Sequence, residues 1–173
     1  MLKNILAKSI MGAKSKIQVS VVMGSQSDWP TMQVACNLLE KFECSFEKKI
    51  VSAHRTPDRM YEYANSLRKR EIKVVIAGAG GAAHLPGMIA SKTVIPVIGV
   101  PINATDLRGL DSLYSIVQMP KGYPVATMAI GAPGAFNAAI FAMQILAVSD
   151  IVIAQKIKDW RIDTTNRVKD EPE

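Results

Sequence analysis

Short β-branched runs, each followed by a turn-rich segment and then by apolar residues at helical spacing, recur along this chain and leave few folds open to it. Ile17 to Met23 is the first such run; Gly24-Ser25-Gln26-Ser27-Asp28 follows, and Ala35, Leu38, Leu39 and Phe42 then share one helical face. Ser45 to Val51 is a second strand, after which Thr56 and Pro57 open a helix whose buried stripe is Met60, Ala64 and Leu67. Val74 to Ala77, Val97 to Val100 and the region from Val125 to Ile130 are the remaining strands, separated by a short helix ending before Pro96 and another near Asp106 to Val117. Strands that are apolar throughout belong in a parallel sheet covered on both faces, because each parallel crossover carries a helix. Right-handed crossovers then give an open, doubly wound α/β sheet of five strands with ligands at the carboxyl ends of the strands.

The most apolar stretch, Ala135 to Ala154, is interrupted mainly by Asn137, Gln144, Ser149 and Asp150. Its uninterrupted part is shorter than the roughly 20 residues a membrane span needs, so no membrane partner is expected. A helix apolar nearly all round needs cover on more than one side. In a chain of 173 residues that cover is expected from a second subunit, which makes the protein a homo-oligomer. One domain over residues 17–165 is expected, with residues 1–16 a disordered extension and 166–173 a charged tail.

The net charge of +6 invites a nucleic-acid reading, but Lys3, Lys8, Lys14 and Lys16 sit in a leading segment without a single acid. The remainder is close to neutral and carries no basic helix face interleaved with aromatic residues, so no nucleic-acid partner is expected. A small anionic ligand fits better. Cys36 and Cys44 are too few for a disulfide framework and have no metal-ligand spacing, which reads as reduced thiols in a cytoplasmic protein with no metal site. The leading segment lacks arginine and a secretory apolar core.

Three loops at strand ends carry residues suited to chemistry. The Gly24 to Asp28 segment offers backbone N–H groups and serine hydroxyls to a phosphate, yet it equally reads as a turn with Asp28 as helix N-cap. It matches neither a Walker A motif nor a dinucleotide fingerprint. Ser52-Ala53-His54-Arg55-Thr56-Pro57 combines an imidazole able to give and take a proton near neutrality with a permanent guanidinium fork; a surface His beside a paired Arg would look the same. Gly78 to Met88, GAGGAAHLPGM, gives up side-chain contacts and costs conformational entropy, a composition that lets backbone approach a small group. His84 there could orient a ligand, cap a helix or fill the core.

Taken together, MGSQSDW, SAHRTPDRM, AGAGGAAHLPGM and DSLYSIVQMP resemble the class I N5-carboxyaminoimidazole ribonucleotide mutases, the PurE family, from about Val19 to Arg161. The resemblance implies a flavodoxin-like domain assembled as an octamer, with C-terminal helices packing between subunits and active sites at subunit contacts. It implies transfer of a carboxylate from exocyclic N5 to ring carbon C4 of an aminoimidazole ribonucleotide, without ATP, metal or organic cofactor. Carried over by position, it implies that His54 is the general acid/base, that Ser25, Ser27 and Arg55 contact phosphate, and that Asp28 contacts ribose. Ser52 belongs to the same binding set. Gly80, Gly81 and Ala82 would bring backbone donors to the migrating carboxylate, and His84 is a second pocket histidine. A transient ATP-dependent carboxylase partner would supply substrate. Animal-type relatives, which carboxylate with free CO2, carry Lys after the histidine, where this chain has Arg55. A free-CO2 carboxylase and a non-catalytic nucleotide-binding module on the same fold are the alternatives.

Overall fold

The computed structural model describes residues 16–172. The expectation of a disordered leading extension therefore lies outside the described residues, apart from Lys16, which pairs with Glu71.

The expected alternation is present. Strands β1 (Val19–Met23), β2 (Phe46–Ile50), β3 (Val74–Gly80), β4 (Val97–Ile102) and β5 (Ala126–Thr127) form one sheet in the order β2-β1-β3-β4-β5, every neighbouring pair parallel. This is the flavodoxin-like order, whose switch point lies between β1 and β3. Helices α1 (Trp29–Lys41) and α5 (Ala132–Ala147) cover one face through Met32, Leu39, Ala138 and Met143, with α6 (Ile151–Asn166) adding Ile157 to that layer. Helices α2 (Pro57–Ser66), α3 (Leu85–Ala90) and α4 (Leu110–Val117) cover the other through Met60, Ile89 and Ile116. The stripe Met60, Ala64 and Leu67 is buried as the spacing requires.

Several boundaries differ from the sequence reading: β1 begins at Val19 and β4 runs on to Ile102. β3 runs on from Ala77 through Gly80, its register with β4 continuing as Gly78 opposite Val100 and Gly80 opposite Ile102. Helix α4 begins at Leu110 instead of near Asp106, because the chain turns through left-handed Arg108 (φ 53°) and Gly109 (φ 87°). β5 keeps only two residues. The apolar run from Ala135 to Ala154 is two helices, and Asp150 starts the second by accepting hydrogen bonds from the Val152 and Ile153 N–H groups.

Candidate active site

The carboxyl ends of β1, β2 and β3 open on a cleft of about 310 Å³ lined by residues of three loops, with Leu85 and Ala104 at its margin. Ser25, Ser27, Asp28, Ser52, His54, Arg55, Gly80, Ala82 and His84 all face it. Gly81 is the exception among the expected residues: it is not part of the lining, and its N–H donates to Ser112 Oγ at 2.9 Å.

After β1 the chain closes a single 3₁₀ turn, Gln26–Asp28, held by a capping box. The Ser27 N–H donates to Ser25 Oγ (3.2 Å), and Ser25 N–H donates to Asp28 Oδ2 (2.8 Å). The Ser25 and Ser27 hydroxyls also bond each other. Asp28 stands at the N-cap position of α1 but makes no side-chain cap bond to that helix; its carboxylate points back into the turn. It is 6% exposed, and burial pushes its carboxyl above the ordinary value, against the pull of the Ser25 and Gly24 backbone N–H groups, the Ser25 side chain and the Arg55 charge.

After β2 the loop is braced by Thr56. Ser52 N–H donates to Thr56 Oγ1 (3.0 Å), and that hydroxyl donates to Ser52 O (3.0 Å). Arg55 donates to Ser52 Oγ through its backbone N–H (3.2 Å) and its Nε (3.3 Å), and its Nη2 donates to Gly24 O (2.8 Å). The guanidinium thus ties the β2 loop to the β1 loop and stands beside Ser25 and Ser27 with donors left over for an anion.

The β3 loop brings the second histidine. His54 Nε2 and His84 Nδ1 are 2.8 Å apart, and the rings meet edge to face at 87°. One of the two facing nitrogens carries the hydrogen that joins them. His84 also occupies the N-cap position of α3, yet its side chain makes no cap bond there and is not buried in the core; it lines the cleft. Behind the loop, fully buried Ser112 donates to Ile102 O (2.8 Å) while accepting from Gly81. Sequence reading passed over Ser112; its signal was a pair of serines, Ser112 and Ser115, one turn apart in the helix LDSLYSIV.

Among the described residues no group of three or more His, Cys, Asp or Glu side chains is arranged to hold a metal ion. The arrangement combines a hydrogen-bonded imidazole pair, a guanidinium beside two hydroxyls and a buried carboxylate. It can therefore move a proton next to a bound anionic polyol.

Comparison with known proteins shows the family of the chain. A family model described as AIR carboxylase matches residues 18–167. The chain is 54% identical over 156 residues to N5-carboxyaminoimidazole ribonucleotide mutase of Haemophilus influenzae, covering 90% of this chain and 95% of the relative. It is 57% identical over 150 residues to the Bacillus subtilis protein of the same name, covering 87% and 93%. The crystal structure of Treponema denticola PurE matches with a TM-score of 0.79 at 25% identity, over 87% of this chain and 92% of that one. With a family model matched over residues 18–167, relatives 54% and 57% identical over most of both chains and the fold in common, the chain belongs to the AIR carboxylase family.

Proposed function

We propose that the protein is an isomerase of purine biosynthesis that converts N5-carboxyaminoimidazole ribonucleotide to 4-carboxy-5-aminoimidazole ribonucleotide without ATP. The name carried by relatives of 54% and 57% identity supports the reaction. The observation that carries the assignment of residues is the 2.8 Å contact between His54 and His84 in a cleft whose far wall presents Arg55, Ser25, Ser27 and Asp28.

In this reading Arg55, Ser25 and Ser27 hold the phosphate, and Ser52 keeps the guanidinium aimed. Asp28 accepts from the ribose hydroxyls; a carboxylate would repel the phosphate. Protonated His54 delivers its proton to N5 as the N5–carboxylate bond breaks, releasing CO2 and the neutral amine. The electron-rich C4 then attacks CO2, the C4–carboxylate bond forms, and His54 takes the C4 proton. The proton lent is recovered, so the sum is an isomerisation. His84, bonded to the same imidazole, fixes its ring and shares the proton. Backbone at Gly80 and Ala82 faces the carboxylate as it moves. Proton transfer of this kind contributes about 10²- to 10⁴-fold, and exclusion of water around bound substrate keeps CO2 from escaping.

A carboxylase acting on free CO2 is the second reading, favoured by the family model's own description. Purified protein given N5-carboxyaminoimidazole ribonucleotide without ATP or added bicarbonate will form the C4-carboxylated product. In labelled bicarbonate the product will gain label only slowly. No product in the first arm overturns the mutase, and rapid full labelling in the second supports the carboxylase.

The same proposal includes a homo-octamer as the working assembly, a cytoplasmic location and a transient ATP-dependent carboxylase as source of substrate. Exposed apolar residues at the α5–α6 corner support the first, and the free, buried Cys36 and Cys44 thiols support the second. No helix among the described residues is long and apolar enough to cross a membrane.

A further inference from the structure

The segment DSLYSIVQMP takes no part in the scheme above, although it contains Ser112, one of three polar residues buried in the described chain. Ser112 lies in the first turn of α4, and its single hydroxyl joins two strand ends. It donates to Ile102 O, the last residue of β4, at 2.8 Å, and accepts the Gly81 N–H, just past β3, at 2.9 Å. Ser115 makes its main bond to Asp111 O (2.7 Å) and a longer one to Gly81 O (3.4 Å). Helix α4 therefore holds both the N–H and the C=O of one glycine.

That glycine has φ +65°, a conformation that a side chain resists. Its neighbour Gly80 lies so close to Ala104 that an added Cβ would fall 2.5 Å from the Ala104 Cβ. The loop is fixed from behind and from the side, while Ala82, exposed in the cleft, has a backbone N–H with no acceptor among the described residues. With the Gly81 donor absorbed by a hydroxyl, Ala82, in the cleft lining, carries the open backbone donor of this loop.

The geometry points to Ser112, seconded by Ser115, as a positioning residue that holds the glycine loop so that its backbone retains the carboxylate and CO2 in transit. The inference rests on the reaction proposed above. Ser112 does not touch substrate. Its loss leaves the Gly81 N–H and the Ile102 carbonyl short of a partner and releases the loop, while the phosphate and ribose contacts of the β1 and β2 loops stay as they are.

The test measures, for wild type, Ser112→Ala, Ser112→Thr and Ser115→Ala, the rate of C4-carboxylated product and the fraction of substrate released as decarboxylated ribonucleotide. Ser112→Ala is expected to lower kcat about 10-fold, the effect of one lost hydrogen-bond constraint, with KM little changed and the decarboxylated fraction raised severalfold. Ser112→Thr, which keeps the hydroxyl, restores the partition, and Ser115→Ala shifts it in the same direction by less. A Ser112→Ala protein with native secondary structure and an unaltered partition overturns the inference, as does a Thr variant that leaks like Ala. If Ser112→Ala does not fold, Ser115→Ala decides, an unaltered partition there counting against. Wild type that forms no C4-carboxylated product sinks the reaction itself, a result distinct from the failure of Ser112.

Discussion

His54 and Arg55 are adjacent in sequence, but their side chains serve opposite walls of the cleft. His54 reaches across to His84, thirty residues on, whereas Arg55 reaches back to the carbonyl of Gly24, thirty-one residues before it. A His54→Asn variant keeps the phosphate and ribose contacts and loses the titrating ring. It is expected to bind ribonucleotide as wild type does while kcat drops by about 10²- to 10⁴-fold; isothermal titration beside the isomerisation assay checks both halves, and unchanged turnover removes His54 from the mechanism. Asp28 carries a pH signature. Burial raises its carboxyl in the folded state, so the folded protein holds that proton more tightly than the unfolded chain does. Its contribution is favourable below the ordinary Asp range and is lost as pH rises through the elevated folded value, so ionised Asp28 burdens the free enzyme at neutrality. Asp28→Asn is therefore expected to raise Tm at pH 7 by a few degrees, to lose that advantage as the pH is brought below about 4, and to weaken ribonucleotide binding. Melting curves across that range check the sign, and a variant that melts lower at pH 7 refutes it. Such a gain in stability with a loss of binding is the usual exchange at a site shaped for ligand.

At the scale of elements, the alternation of apolar runs and helical spacing was legible because each βα unit is local. The failures came where a distant partner decided the outcome. Gly78 and Gly80 read as loop, since glycine weakens a strand. In the fold they continue β3 in register with β4, and glycine is needed there because Met32 of α1 and Ile102 of β4 fill the side-chain space at Gly78, and Ala104 fills it at Gly80. Nothing within a local window announces those neighbours. The three cleft loops were legible from their Ser, Gly, His and Arg content, but the His54–His84, Arg55–Gly24 and Gly81–Ser112 bonds join positions about thirty residues apart, separations that only the sheet order brings together. The Gly131-Ala132-Pro133-Gly134 segment, where the chain enters α5, holds a tight contact of the same kind. A Cβ on Gly134, in the first turn of α5, would overlap the backbone carbonyl of Ala129, and backbone cannot swing aside as a side-chain tip does. Gly134→Ala is expected to cost at least the ~1–3 kcal/mol typical of overpacking, read as a lower urea midpoint with an unchanged slope. A midpoint equal to wild type would show that α5 can shift freely at its start.

For the whole molecule, the corner between α5 and α6 exposes an apolar surface unexplained by the isolated chain. Val148 is 89% exposed, Ile151 81% and Val152 62%, and α6 contributes only Ile157 to the buried core. Single exposed apolar residues are ordinary, but a contiguous cluster of β-branched side chains at a helix corner marks a contact surface. Covering it recovers about 25 cal/mol per Å² of apolar area, and a second copy of the chain is the partner our octamer proposal supplies. Replacing Val148 and Ile151 together by Lys puts charges into that contact while sparing Asp150, the residue that caps α6. The double variant is expected to keep wild-type circular dichroism and to fall to a smaller assembly by light scattering, because a charge buried unpaired at an interface costs far more than the area it replaces returns. If active sites lie at subunit contacts, its turnover will drop on dilution more steeply than that of wild type. A double variant with native mass and concentration-independent activity would mean that this corner faces solvent in the working enzyme, and that the apolar α5 is covered within one chain by the sheet, α1 and α6.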